Sequence, residues 1–458
     1  MDKSILKKLL QVCGKDNVLS SELDLFLYGY DASIERGVPD VVVYPQNSQQ
    51  VSEIVKLARS VGIPFTARGS ATNLCGGSVA QAGGIVIECS RMAQIYEIDI
   101  PNRVAVTGPG VFNLDLQTAL AKYGCFFPPD PASQKVSTLA GNVAMNAGGP
   151  HCLKYGVTVN HVCGIELVTP DGEIIGFGGK TTESSGYDLV GILNGSEGTL
   201  GIVTKLYLRI MPKPSSLETL LVAFDAIEHA ARTVSDIISR GIIPATLEYM
   251  DNLAIRAVVE SMQVDYPPDA AAVLIVEVDG PAEVLENQIE TIKEICVQHQ
   301  AGEIRRARDE DERAALWAGR RGALGAMTRM APSIVVFDGT VPRPRLPAAL
   351  RGIDDICKKY DLRYGTLLHA GDGNIHPILV YDERNEEQTR QVMQGCDEIM
   401  QLCIDLGGTI TGEHGVGLEK RGALRMLFRD QDLDAMKKIK NVFDPAGLCN
   451  PGKIFMNN

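Results

Sequence analysis

The sequence predicts a two-domain α+β protein, and three observations carry that prediction. Its 458 residues exceed what one hydrophobic core organises. Strand-sized apolar runs, such as Val41, Val42 and Val43 or residues 273–276, alternate with stretches whose apolar residues recur at helical spacing. Pro212 and Pro214 then interrupt the pattern, which restarts at Leu217. A 45% apolar and 22% charged composition is that of a folded globular chain and argues against disorder.

Taken in order, residues 1–12 set Ile5, Leu6, Leu9 and Leu10 at helical spacing among lysines, a small amphipathic helix without the apolar region or cleavage site of a secretory signal. A strand over 41–44, a helix with Ser48 as N-cap and Gly62 as stop, and a strand over 63–67 form a βαβ unit. Strands follow at 85–88, 104–107, 163–169 and 202–209. Beyond the prolines, helices at about 226–240, 281–299, 346–359 and 386–406 alternate with strands near 271–278, 333–338 and 376–381, the pattern of an antiparallel sheet covered by helices.

Composition removes several function classes. A net charge of −13 leaves no general basic surface for nucleic acid or anionic lipid. Eleven scattered cysteines without a Cys-x-x-Cys pair read as reduced thiols of a cytoplasmic protein, not as a zinc or iron–sulfur site. No apolar run approaches the roughly 20 residues of a transmembrane helix. Gly108 and Gly110 begin like a dinucleotide fingerprint but lack its third glycine, and Gly179, Lys180 and Thr181 lack the P-loop glycine, with Ile174 in its place.

Three loops of small residues remain, at 68–77, 138–149 and 195–201. Without bulky side chains, consecutive backbone N–H groups can close on a pyrophosphate as an anion nest, so the loops point to a phosphorylated cofactor. The sharpest signal is His369 and His376 around Asp372 and Gly373. If Asp372 and Gly373 form a two-residue hairpin turn, the two histidines lie directly opposite, with Cβ atoms about 4.5–5.5 Å apart, close enough to share one cation. Glu413 and His414, on a second glycine-flanked loop, offer a carboxylate and a further imidazole. Two imidazoles and one carboxylate leave coordination positions open, as a catalytic metal requires.

These residues, together with Phe127 to Pro131, Ser196 to Gly198 and the terminal 443–453 segment, resemble the vanillyl-alcohol oxidase superfamily of FAD proteins, and within it the FAD-linked D-2-hydroxyacid dehydrogenases. The resemblance covers about residues 20–456 and implies a vanillyl-alcohol-oxidase-type FAD-binding domain plus an α+β cap domain with an antiparallel sheet. On that basis residues 1–37 are an N-terminal helical segment, 38–214 bind FAD, and 215–458 cap the flavin and carry the substrate site, with the C-terminal segment returning to the first domain.

The cofactor residues implied are Arg68, Gly69, Ser70, Ala71, Thr72, Asn73 and Leu74 at the pyrophosphate. Pro129, Asp130, Ser137, Thr138, Gly141, Asn142, Ala144, Asn146, Gly148, Glu197, Gly198, Gly201, Ile202 and Asn450 are implied along the rest of FAD. No histidine stands in the first loop to tether the flavin, so the FAD is expected to be non-covalent, with Cys125 the one alternative.

The resemblance further assigns His369, His376 and Glu413 to a divalent metal (Zn, Mn or Fe), His414 to the general base, and Arg320 to the substrate carboxylate, with Arg321 and Arg329 as rivals. It implies oxidation of D-lactate or glycolate, with electrons passed to an electron-transferring flavoprotein, an iron–sulfur subunit or a quinone, and membrane attachment only through partner subunits. Hydroxyglutarate enzymes carry a lysine near Val336 and an asparagine at Ile378, which favours a substrate with one carboxylate here. The rival reading is a non-catalytic flavin subunit that relays electrons.

Overall fold

The structure is a computed structural model that describes residues 1–181 and 185–456. The chain divides into two compact units, one of Met1–Gly148, Gly156–Lys213 and Glu413–Asn458, the other of Gly149–Tyr155 and Pro214–Gly412. This division departs from the boundaries read in the sequence. Residues 1–37 are part of the first unit, because Leu9 and Cys13 of the helix Lys3–Cys13 pack into the cluster that holds Val51, Ile54 and Val55. Residues 149–155 join the second unit, where Lys154 donates to the Asp279 carbonyl at 2.8 Å.

In the first unit, Val41–Val43 and Phe65–Arg68 each run parallel to Ile85–Glu88, which lies between them. Val41, Val42 and Val43 are all fully buried, the unbroken apolar run of a strand covered on both faces. The helix Ser48–Ser60 is capped by Asn47, whose side chain accepts from the Gln50 N–H, and not by Ser48, whose hydroxyl donates to Glu166 at 2.6 Å. A second, antiparallel sheet of five strands follows the order Ile95–Asp99, Val104–Thr107, Ile202–Arg209, Val162–Val168, Ile174–Gly178.

The second unit is built on one large sheet, ordered Ala301–Arg306, Ser216–Phe224, Ala272–Gly280, Thr246–Asp251, Arg363–His369, Asn374–Tyr381, Ser333–Val336, with every pairing antiparallel. Alternate residues feed two cores: Leu220, Val222 and Phe224 one, Leu221 and Ala223 the other. Helices Ile227–Ser239, Ala282–Gln298, Leu346–Lys359 and Glu386–Asp405 bury their apolar stripes in the first core. Asn252–Met262 and Glu310–Met327 pack on the second.

The sequence pattern did not reveal Glu310–Met327, and the reason is physical. It contains Gly319, Gly322 and Gly325, poor helix formers, and it docks partly through polar donors instead of a clean apolar stripe. Asp309 starts it by accepting from the Glu312 N–H at 2.9 Å. Among the described residues no helix is long and apolar enough to cross a membrane.

Candidate functional site

Two constellations emerge, one in each unit. In the first, the small-residue loops meet at close quarters. A β-carbon at Gly69 would run into the Thr138 hydroxyl, so only glycine lets these loops touch. Ala71, Asn146, Glu197 and Asn450 hold positive φ (54°, 50°, 53° and 47°), a conformation that costs a non-glycine residue free energy and persists where the surroundings impose it. All four belong to the segments that the sequence assigns to the cofactor.

Several of those side chains are spent on the loops themselves. Asn73 Oδ1 accepts from the Gly77 N–H at 2.8 Å, Thr138 caps the helix Leu139–Met145, and Asn146 Oδ1 accepts from the Val159 N–H at 2.9 Å. Arg68 lies 3.8 Å from the buried Glu88 carboxylate and over the Tyr28 ring. Asn450 ties the C-terminal segment to Gly77 and Glu197 by donating to both carbonyls, at 2.9 and 2.7 Å.

Glu197 differs most from its expected role as a cofactor residue. Its carboxylate accepts from the Val416 and Gly417 N–H groups at 2.7 and 2.8 Å, so it braces the loop that carries Glu413 and His414. Burial pushes its pKa up, even against those two bonds.

Whether the first unit fits a dinucleotide is decided by polar atoms without protein partners. Ser137 Oγ, Asn142 Nδ2 and Asn450 Oδ1 are buried and find no hydrogen bond within the described residues. Such orphans are rare in folded proteins. Three of them on the small-residue segments are what a bound polar cofactor satisfies, so the residues fit FAD.

In the second unit, His369 ends the strand Arg363–His369 and His376 lies on Asn374–Tyr381. The register corrects the expected hairpin: His369 pairs with Asn374 and His376 with Leu367, so residues 370–373 form a four-residue connection. Gly373 and Asp372 both donate backbone N–H groups to the His369 carbonyl, which closes this longer turn. The histidines are therefore diagonal neighbours on one face of the sheet, with ring centroids 5.3 Å apart and planes at 83°.

Their Nδ1 contacts fix the tautomer of each neutral ring. His376 Nδ1 lies 3.2 Å from the Phe337 carbonyl, which only accepts, so Nδ1 carries the hydrogen and, in the neutral ring, the lone pair is on Nε2. His369 Nδ1 lies 2.8 and 3.0 Å from the two oxygens of Glu248, with the same consequence. Two buried imidazoles with Nε2 lone pairs and Nδ1–H bonds to acceptors are the donor set of a metal centre and fit a divalent cation.

Asp338, buried beside His376, accepts from the Thr411 hydroxyl at 2.6 Å and the Gly412 N–H at 3.0 Å. Glu413 and His414 follow Gly412 by one and two peptide steps of about 3.8 Å each. A β-carbon at Gly412 would lie 2.5 Å from the Asn374 side chain, so glycine is required for this approach.

Arg320 sits on the helix Glu310–Met327, its Nη2 2.6 Å from Glu248. Arg321 turns instead onto the Trp317 ring, and Arg329 is exposed. Val336 and Ile378 are cross-strand partners in the second apolar core, on the face that carries His376.

Sequence reasoning missed three buried carboxylates, Glu248, Asp338 and Glu277. Glu277 receives Thr219 Oγ1 at 2.6 Å and Trp317 Nε1 at 2.8 Å, with Arg313 at 3.2 Å and His151 at 3.8 Å. Burial alone would raise its pKa, but the bonds from His151, Thr219 and Trp317 and the charge of Arg313 outweigh it and bring the pKa to about 2. No local pattern marks these residues, because each meets its partners across more than 30 residues of chain.

Comparison with known proteins identifies a family domain in each half of the chain. The model of the FAD binding domain matches residues 39–178, and that of the FAD linked oxidases, C-terminal domain, matches residues 213–454. The chain is 43% identical over 455 residues to the glycolate oxidase subunit GlcD of Bacillus subtilis (strain 168), covering 99% of this chain and 97% of that relative. It is 35% identical over 421 residues to a D-lactate dehydrogenase of Archaeoglobus fulgidus, with 90% and 91% covered. The crystal structure of p-cresol methylhydroxylase superimposes with a TM-score of 0.82 over 100% of this chain and 98% of that one, at 17% identity, a likeness of fold.

Proposed function

The chain belongs to the family of FAD-linked oxidases, and from that premise we propose that it oxidises a short D-2-hydroxy acid, D-lactate or glycolate, to the 2-oxo acid with the help of a divalent cation. The observation that carries the reading is the pair of buried imidazoles whose Nδ1–H groups are both committed to protein acceptors. His369 and His376 would hold the ion (Zn, Mn or Fe), with Glu413 as the third ligand. The names of the relatives, a glycolate oxidase subunit and a D-lactate dehydrogenase, support the substrate class.

FAD, when bound, supplies the acceptor for the hydride leaving the α-carbon. The cation, when bound, supplies a Lewis acid that lowers the pKa of the substrate hydroxyl, as it lowers that of water from about 15.7 to about 7. His414 receives the hydroxyl proton, on a loop held in place by Glu197. Arg320 holds the substrate carboxylate, since a planar guanidinium matches a planar carboxylate. Val336 and Ile378, cross-strand partners in the second apolar core, offer no polar group to a second carboxylate, which disfavours a dicarboxylate. Electrons leave to an electron-transferring flavoprotein, an iron–sulfur subunit or a quinone.

The test is dye-linked turnover of the FAD-loaded protein with glycolate, both lactate enantiomers and D-2-hydroxyglutarate. D-lactate or glycolate is expected to exceed D-2-hydroxyglutarate in kcat/KM by about 100-fold or more. Turnover with none of them, or a preference for the dicarboxylate, overturns the reading.

A further inference from the structure

We propose that Glu248 is a positioning residue shared by two recognition elements, fixing the metal-facing nitrogen of His369 and the orientation of the Arg320 guanidinium at once. The inference rests on the reading of His369 as a metal ligand and Arg320 as the carboxylate binder.

The strand Thr246–Asp251 pairs with Arg363–His369 so that Glu248 stands directly opposite His369. Its side chain is fully buried, and among its contacts Oε1 and Oε2 lie 2.8 and 3.0 Å from His369 Nδ1, and Oε2 lies 2.6 Å from Arg320 Nη2. A carboxylate taken out of water needs a counter-charge, and Arg320 supplies it. In return the carboxylate holds one amino group of the guanidinium, while Arg320 Nε, also buried, finds no hydrogen-bond partner among the described residues. Part of the fork thus stays available for a planar anion. On the other side, an imidazole donating Nδ1–H to a carboxylate is a more basic ligand at Nε2.

The helix carrying Arg320 isolates this role. Arg313, Trp317 and Arg320 recur at i, i+4 and i+7 and so share one helix face. The first two donate to Glu277 on the neighbouring strand Ala272–Gly280, and the third to Glu248. Glu277 therefore anchors the helix without touching His369 in any described contact, whereas Glu248 joins helix to imidazole. A glutamine at 248 keeps the shape but has a single acceptor oxygen and no charge, so it cannot serve both partners as the carboxylate does.

The experiment measures Mn2+ dissociation constants of the FAD-loaded full chain by chelator competition, with ¹⁵N-histidine spectra reporting the tautomer. Glu248→Gln is expected to weaken Mn2+ binding about 10- to 100-fold, to change the His369 tautomer signal and to raise KM for D-lactate more than it lowers kcat. Glu277→Gln, which disturbs the same helix, leaves Mn2+ affinity unchanged. Should Glu248→Gln not fold, Glu248→Asp, which keeps the charge but withdraws it by one carbon, is expected to show the same loss of Mn2+ affinity. Unchanged affinity in a Glu248 variant, while His376→Ala loses the ion, overturns this inference alone. A wild-type protein that takes up no Mn2+ overturns the histidine-pair reading and this inference with it.

Discussion

The two units build their sites by opposite means. In the first, the work falls to backbone: small residues, positive φ at Ala71, Asn146, Glu197 and Asn450, and loops close enough that Gly69 and Gly417 admit no side chain. In the second, regular strands place side chains, and His369, His376 and Glu248 owe their positions to register on one sheet face. A backbone-built site tolerates change in side-chain chemistry but not in shape. A strand-built site tolerates neighbouring change in shape but not in chemistry.

That contrast yields predictions of graded size. His376→Ala removes one donor and is expected to lower kcat/KM about 1000-fold, the several kcal/mol a Lewis acid contributes, with metal content falling in parallel. In the first unit, Gly417→Ala puts a β-carbon against the Cys75 carbonyl at a φ of 52° and is expected to cost about 2 kcal/mol in denaturant unfolding, with FAD retention reduced. Arg320→Lys keeps the charge but loses the planar fork, and KM is expected to rise about tenfold in steady-state assays, with kcat less affected.

The smallest effect is a slope. The pKa of Glu277 falls from its ordinary value of 4.5 to about 2 on folding, so its ionised form stabilises the protein above pH 4.5 and that contribution is lost as the pH falls toward 2. The melting temperature of Glu277→Gln is expected to lie below that of the wild type near neutrality and to converge with it through that window. Parallel curves would show that Glu277 does not carry this charge.

The α+β class and the proline break near 213 were legible because apolar periodicity and proline act locally. The glycine loops were visible as composition, but the roles of their side chains were not. Asn73, Thr138 and Asn146 cap their own turns, and Glu197 binds a loop about 220 residues away in the chain. The histidine pair stood out in the sequence, yet its turn has four residues instead of two, since pairing of His369 with Glu248 and of His376 with Leu367 sets the register more strongly than a local Asp-Gly preference. Glu248 itself left no local trace, being 121 residues from His369.

The central claim is that the imidazole pair binds an ion the reaction needs. It is tested most directly by anaerobic reduction of the bound flavin with D-lactate or glycolate, before chelation, after it, and after Mn2+ or Zn2+ is returned. The account predicts rapid bleaching, its loss on chelation and its recovery on adding the ion. Bleaching that proceeds equally fast in the chelated protein would contradict it.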